Sequence, residues 1–227
     1  PGSTFKMIVL LAALEKGVVS LSRKYFCTGV QELGDAKFHC WLKHGHGLVN
    51  AQTALSQSCD VYFYEIARLT GVDRIAKMAE KLGLGEISGI DLPGEKSGLI
   101  PTKKWKRDAL NTGWHQGETL LTGIGQGYVL ATPMQLAIMT ARLVNGGMAV
   151  KPRLTKAISL SNQILKNKWD NDFEDIGIPN KHLKILKEAM IDVVNAPNGT
   201  AFRSRIDPKI GSMGGKTGTV QVRRISK

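Results

Sequence analysis

Apolar residues along this chain gather into stretches of helical period, separated by glycine- and proline-rich breaks. Residues 3–16 carry a nearly unbroken apolar run behind Ser3-Thr4, with Gly17 just past it, and predict a buried helix. Residues 18–50 show no sustained period; with Cys27, Cys40, Gly29, Gly34, Gly45 and Gly47 they predict an ordered loop. Asn50 is placed to cap a helix over 51–57, and the stretch 61–67 resumes as helix after the break at Ser58-Cys59-Asp60, ending at Gly71. Asp73 is the expected cap of the next helix, whose Ile75, Met78, Ala79 and Leu82 share a face and whose stop is Gly83. Residues 83–102 read as turns. Thr132-Pro133, a cap followed by proline in the first turn, opens a long helix that ends at Asn145-Gly146-Gly147. Alternation predicts strand over 148–160, and 161–178 is polar. Leu183, Leu186, Met190 and Val193 then place a helix over 180–195. A turn at 211–215 leads to a final strand through Val220 and Val222. The sum is a helix-rich α+β domain without internal repeats.

The 227 residues suffice for one substantial domain or two small ones, and 42% apolar with 22% charged residues is an ordinary globular balance. The longest apolar run, residues 7–14, is too short to cross a bilayer, and no signal peptide is visible. A net charge of +12 points to an anionic environment. The cations are scattered, with short clusters only at 103–107 and 223–224, and no nucleic-acid-binding signature accompanies them. A solvated basic face is the expectation, with no nucleic acid as partner.

Three short motifs change the picture: Ser3-Thr4-Phe5-Lys6, Ser58-Cys59-Asp60 and Lys216-Thr217-Gly218-Thr219. Each alone has a bland reading as a helix cap, a helix break and a turn before a strand. In this order they supply a nucleophile, a base, a proton relay and a cationic anchor for acyl transfer through a serine ester. Ser3 and Lys6 lie one turn apart on one helix face, where free N–H groups and the helix dipole favour negative charge. An ordinary lysine is neutral about once in two thousand at pH 7. Lys6 therefore acts as base only if burial or a second cation, such as Lys216, lowers its pKa. Ser58 is the candidate donor to the leaving amine. Lys216 with the Thr217 and Thr219 hydroxyls suits a substrate carboxylate, beside Gly218 in the same motif. The N–H groups of Ser3 and Thr219 are the candidate oxyanion hole, where one donor contributes about 3 kcal/mol. Gly123-Ile124-Gly125-Gln126-Gly127 lacks the spacing and the lysine of a phosphate loop, and Asn198-Gly199-Thr200 is a chance-level glycosylation sequon. The chain opens on the first motif and stops just past the third. Residues 1–227 are therefore expected to be the middle of a longer protein, with any anchor upstream of Pro1.

Around these motifs, Pro1-Gly2-Ser3-Thr4-Phe5-Lys6, Gly89-Ile90-Asp91-Leu92-Pro93-Gly94-Glu95, Gly123-Ile124-Gly125-Gln126-Gly127-Tyr128, Ala131-Thr132-Pro133-Met134-Gln135 and Asn195-Ala196-Pro197-Asn198-Gly199-Thr200-Ala201 resemble the class B penicillin-binding proteins. The resemblance covers essentially the whole chain. It implies the penicillin-binding/serine β-lactamase-like fold, an antiparallel sheet flanked by helices plus an all-helical subdomain. The family has strands before Ser3, and two strands and a helix after Lys216, so the sheet is expected to be incomplete here. It also implies a peptidoglycan D,D-transpeptidase serving cell elongation and shape. In that activity Ser3 attacks the D-Ala-D-Ala bond of a stem peptide, and β-lactams acylate the same serine. The implied setting is the bacterial inner membrane with a periplasmic catalytic domain, beside the membrane glycosyltransferase of the elongation machinery. One departure stands out: the family usually has Asn at the third position of the second motif, and this chain has Asp60, which accepts but cannot donate.

Cys27, Cys40 and Cys59 are the only cysteines, and with His46 they give the spacing C-x12-C-x5-H-x12-C. A Cys27–Cys40 disulfide with Cys59 free is one reading, three buried thiols a second, and a closed tetrahedral zinc site a third. Some members of the family have a structural zinc whose ligand positions match Cys40, His46 and Cys59, which makes Cys27 the fourth ligand within the 18–60 loop. His44 is the alternative imidazole, His39 a weaker one, and His115 and His182 lie far away in sequence. Two other functions use the same motifs. A serine β-lactamase needs a water-activating Glu on an E-x-x-L-N loop, absent here, and a β-lactam sensor needs a signalling partner domain.

Overall fold

A computed structural model of the chain describes residues 1–155, 158–160, 163–165 and 173–219. At its centre lies α1 (Lys6–Lys16), led in by a 3-10 turn at Gly2–Phe5 and closed by Gly17. Every residue from Lys6 to Leu14 is buried, so this helix is apolar all round rather than amphipathic, as a helix surrounded by others must be. It packs on α3 (Asp60–Thr70), α4 (Val72–Lys81) and α8 (Asn180–Asn195). α2 (Ala51–Ser56) lies on α8, and α3 lies on α6 (Gln116–Gly123). α5 (Lys103–Leu110) and α7 (Pro133–Val144) complete the helices of the described residues.

The caps anticipated at Asn50 and Thr132 are present, each as a reciprocal box with the residue three positions on. Asp73 is not a cap. α4 starts directly after Gly71, and the Asp73 carboxylate instead accepts the Lys103 N–H at 3.0 Å, tying the start of α5 to α4. The expected loop over 18–50 holds four strands. β1 (Tyr25–Cys27) pairs antiparallel with β4 (Gly47–Val49), and β2 (Val30–Leu33) with β3 (Ala36–His39). Strands this short complete barely one alternation, so no period announces them. Helices α5 and α6 also went unread. In α5 the buried residue is Lys106, a charge where the pattern calls for an apolar side chain, held by both Glu118 oxygens at 2.5 and 2.7 Å.

Among the described residues of 148–160, the strand is β5 (Ile158–Leu160). Its antiparallel partner β6 (Gln163–Leu165) lies in the stretch read as polar, and Met148 bridges Asp175. Among the described residues the strands form two-stranded antiparallel ribbons beside the helices. The strand expected through Val220 and Val222 lies outside the described residues. No helix of the described residues is long and apolar enough to cross a membrane.

Candidate active site

Ser3 sits on the 3-10 turn one helical turn ahead of Lys6. Chain segments far apart in sequence fix that turn. The Gly2 N–H donates to Gly125 O at 3.1 Å. Both glycines have positive φ, and neither leaves room for a side chain: a Cβ on Gly2 would lie 2.1 Å from Thr219 O, and one on Gly125 2.2 Å from Gly2 O. The rejected phosphate-loop motif is therefore the wall against which the nucleophile turn rests. Gln126 adds a bond from its amide to Thr219 O at 3.4 Å.

Ser58 occupies the corner between α2 and α3 with φ +55, a left-handed conformation uncommon for a residue other than glycine. Its N–H donates to Leu55 O at 3.2 Å and that of Cys59 to Ala54 O at 2.8 Å, so the strained corner is held from both sides. The corner delivers Ser58 Oγ between two amines, Lys6 Nζ at 3.1 Å and Lys216 Nζ at 2.9 Å. Lys6 is fully buried and also donates to Ser58 O at 2.9 Å and Asp60 Oδ1 at 2.6 Å. Asp60 turns its second oxygen, Oδ2, to the Trp41 N–H at 2.9 Å. A buried cation is thus matched by a carboxylate whose two oxygens are both used.

Among the described residues Lys216 has no carboxylate partner and reaches Ser58 Oγ, Thr217 O at 3.2 Å and Thr217 Oγ1 at 3.3 Å. Burial, and next the charge on Lys6, bring its amine down to about 7 against the weaker opposing pull of Asp60. Asp60 touches Lys6, whereas among the described residues Lys216 bonds to neutral oxygens.

Ser3, Ser58, Asp60, Thr217 and Thr219 line one cavity of about 550 Å³, with Trp41, Ile124, Gln126 and Thr200 on its remaining walls. Lys6 lies beneath it, and Gly218 packs over Thr4, whose Cγ2 would be 3.2 Å from an added Cβ. Among the described residues the Ser3 hydroxyl makes no hydrogen bond to Lys6 or Ser58. The motifs converge on one pocket that Ser3 lines. Of the added wall residues, Ile124, Gln126 and Thr200 belong to stretches that carried the family resemblance without a role assigned to them, and Trp41 follows Cys40 without a signal of its own.

Behind the Ser58 corner, Cys27 at the end of β1, Cys40 after β3, His46 before β4 and Cys59 before α3 bring their ligand atoms within 4.8 Å of one another. His46 Nδ1 is 3.5 Å from Cys40 Sγ and 3.7 Å from Cys27 Sγ. The three cysteines are buried free thiols. His44 and His39 are exposed and outside the cluster. The hydrogen bond from Cys59 drives the Cys40 thiol far below its usual range, and the same bond together with burial pushes Cys59 up.

The family described as the penicillin binding protein transpeptidase domain matches residues 1–224. The chain belongs to that family. This transpeptidase domain is 36% identical over 230 residues to the peptidoglycan D,D-transpeptidase MrdA of Acinetobacter baumannii, covering 100% of this chain and 34% of that protein. The chain thus spans about a third of the length of this curated relative. The crystal structure of Pseudomonas aeruginosa penicillin-binding protein 2 in complex with WCK 5153 superposes with a TM-score of 0.85 at 37% identity, over 99% of this chain and 50% of that one. Penicillin-binding protein 2 of Helicobacter pylori, solved in complex with MreC, superposes with a TM-score of 0.80 at 33% identity, over 90% of this chain and 37% of that one. The fold of this transpeptidase domain is accordingly the penicillin-binding one.

Proposed function

We propose that this domain is the acyl-transfer centre of a peptidoglycan D,D-transpeptidase of the penicillin-binding protein 2 type. The observation that carries the reading is the single cavity on which Ser3, Ser58, Asp60 and Thr217 converge, with Lys6 and Lys216 both bonded to Ser58 Oγ. Ser3 Oγ attacks the carbonyl of the D-Ala-D-Ala bond and gives its proton to Lys6, which in the same step passes one of its own to Ser58 Oγ, so that the charges on Lys6 and Lys216 are unchanged. Ser58 hands a proton to the leaving amine, D-alanine departs, and an amine of a neighbouring stem peptide attacks the ester and restores the Ser3 hydroxyl. The Ser3 and Thr219 N–H groups take the oxyanion, and Lys216 with Thr217 and Thr219 holds the terminal carboxylate. β-Lactams enter as mimics of the same peptide. The whole protein is placed in the bacterial inner membrane with this domain in the periplasm, beside the glycosyltransferase of the elongation machinery. The relation to MrdA supports that placement.

In the full-length protein, a D-Ala-D-Ala pentapeptide donor and an amine acceptor are expected to give free D-alanine and the cross-linked product in equal amounts. D-alanine release with water as the sole acceptor would contradict transpeptidation. A pH dependence follows from Lys216. Its amine, lowered to about 7, is charged below that pH and neutral above it, and the anchor needs the charge. The preference for a carboxylate-bearing penicillin over its ester should therefore fall as pH rises from about 6 to about 9. Acylation rates for both compounds measure this, and a preference that rises with pH contradicts the assignment.

Cys27, Cys40, His46 and Cys59 are further proposed to hold one structural zinc ion. Tetrahedral zinc with bonds of about 2.3 Å to sulfur and 2.0 Å to nitrogen sets S···N separations of about 3.6 Å, which the 3.5 and 3.7 Å separations match. Such a site is closed, so the ion supplies rigidity and takes no part in acyl transfer.

A further inference from the structure

The geometry points to Thr200 as a specificity-determining residue that completes the carboxylate anchor by pairing its hydroxyl with that of Thr217. This inference rests on the acyl-transfer function proposed above. Thr200 lies on the turn after α8 and belongs to none of the three motifs. Its backbone is fixed from two directions, with the Thr200 N–H donating to Ser56 O at 3.1 Å and the Ala201 N–H to Val193 O at 2.9 Å. The preceding Gly199 has no space for a side chain, since a Cβ there would lie 2.3 Å from Asp192 O and 2.5 Å from Val193 O. The turn therefore presses against the end of α8 and reaches α2 two residues before Ser58. Thr200 lines the same cavity as Ser3 and Thr217.

Its Oγ1 is 2.8 Å from Thr217 Oγ1, which Lys216 Nζ approaches at 3.3 Å. A hydroxyl has one proton to give and two lone pairs to receive with. If Thr200 donates, the lone pairs of Thr217 are taken by Thr200 and Lys216, and the Thr217 proton is left for a third group. If Thr217 donates, the Thr200 proton is left instead. Either arrangement leaves one hydroxyl proton unspent beside the Lys216 ammonium, and the ligand that fits ammonium plus hydroxyl is a carboxylate. The chemical class is the free C-terminal carboxylate of a peptide, or the ring carboxylate of a β-lactam. The tripeptide Asn198-Gly199-Thr200 thus has a use as pocket wall, unrelated to glycosylation.

Thr200→Val keeps the side-chain shape and removes the hydroxyl, while Thr200→Ser returns the hydroxyl alone. In the full-length protein, acylation of Ser3 is measured with benzylpenicillin and with its methyl ester. The acid-to-ester rate ratio is expected to fall about tenfold in Thr200→Val, the scale of one hydrogen bond to a charged group, and to recover in Thr200→Ser. Equal slowing of both compounds in Thr200→Val would show a merely structural role and overturn the proposal, as would an unchanged ratio. Should the valine variant not fold, Thr200→Ala reads the same ratio. Failure of wild-type protein to acylate at Ser3 would sink the transpeptidase reading itself, a result distinct from a failure of Thr200.

Discussion

Replacing Asp60 by alanine is expected to abolish acylation of Ser3 and to lower the thermal midpoint by roughly 10 °C. Lys6 has no exposed surface, and its Nζ lies 2.6 Å from Asp60 Oδ1. Removing one partner of a buried ion pair leaves an uncompensated charge and costs about 3–5 kcal/mol. In a domain of this size each kcal/mol shifts the midpoint by about 2–4 °C. The same carboxylate holds the Trp41 N–H, so its loss also frees a wall of the pocket. Asp60→Asn, the residue usual in the family, keeps oxygen for one of these bonds and should fold with a smaller loss and retain measurable acylation. Differential scanning fluorimetry and acylation kinetics on the full-length protein give both numbers. An alanine variant as stable and as reactive as wild type would show that the Lys6–Asp60 pair does not hold the site.

Chelation is expected to have the second large effect. Zinc bound by thiolates contributes on the order of 10 kcal/mol in small domains that depend on it. Here the four ligands come from β1, the end of β3, the start of β4 and the corner before α3, so the ion would tie together strands too short to be stable alone. Two routes lead from that cluster to the catalytic groups. Cys59 stands between Ser58 and Asp60, and Cys40 precedes Trp41, whose N–H holds Asp60 Oδ2. Chelation or Cys27→Ser should therefore lower both stability and acylation rate, and Cys59→Ser should reduce acylation most. Elemental analysis should find one zinc per chain. A folded, active sample without zinc and with a Cys27–Cys40 disulfide would contradict this account.

The parts of this site legible in the sequence were those in which a side chain performs the chemistry. Ser3, Lys6, Ser58, Asp60, Lys216 and Thr217 meet because their motifs belong to segments that the α1 core brings together, and the family resemblance pointed to Cys27, Cys40, His46 and Cys59, which cluster. Illegible were features that depend on contacts remote in sequence. The charge-bearing Lys106 was invisible as a buried helix residue because Glu118, which neutralises it, lies on another helix. Ribbon strands of three or four residues carry too little alternation to register. Gly125 and Thr200 stood in stretches that carried the family resemblance but had no role there, because their importance lies in what they touch, the Gly2 turn and the Thr217 hydroxyl. Which amine Asp60 reaches is likewise something spacing does not tell.

The central claim is that Ser3 is the nucleophile of a pocket assembled by three distant segments. Intact-mass spectrometry of the full-length protein and its Ser3→Ala variant after benzylpenicillin treatment tests it most directly. The account predicts one long-lived adduct per chain on the wild type, mapped to the peptide containing Ser3, and none on the variant. Equal labelling of both proteins would contradict it.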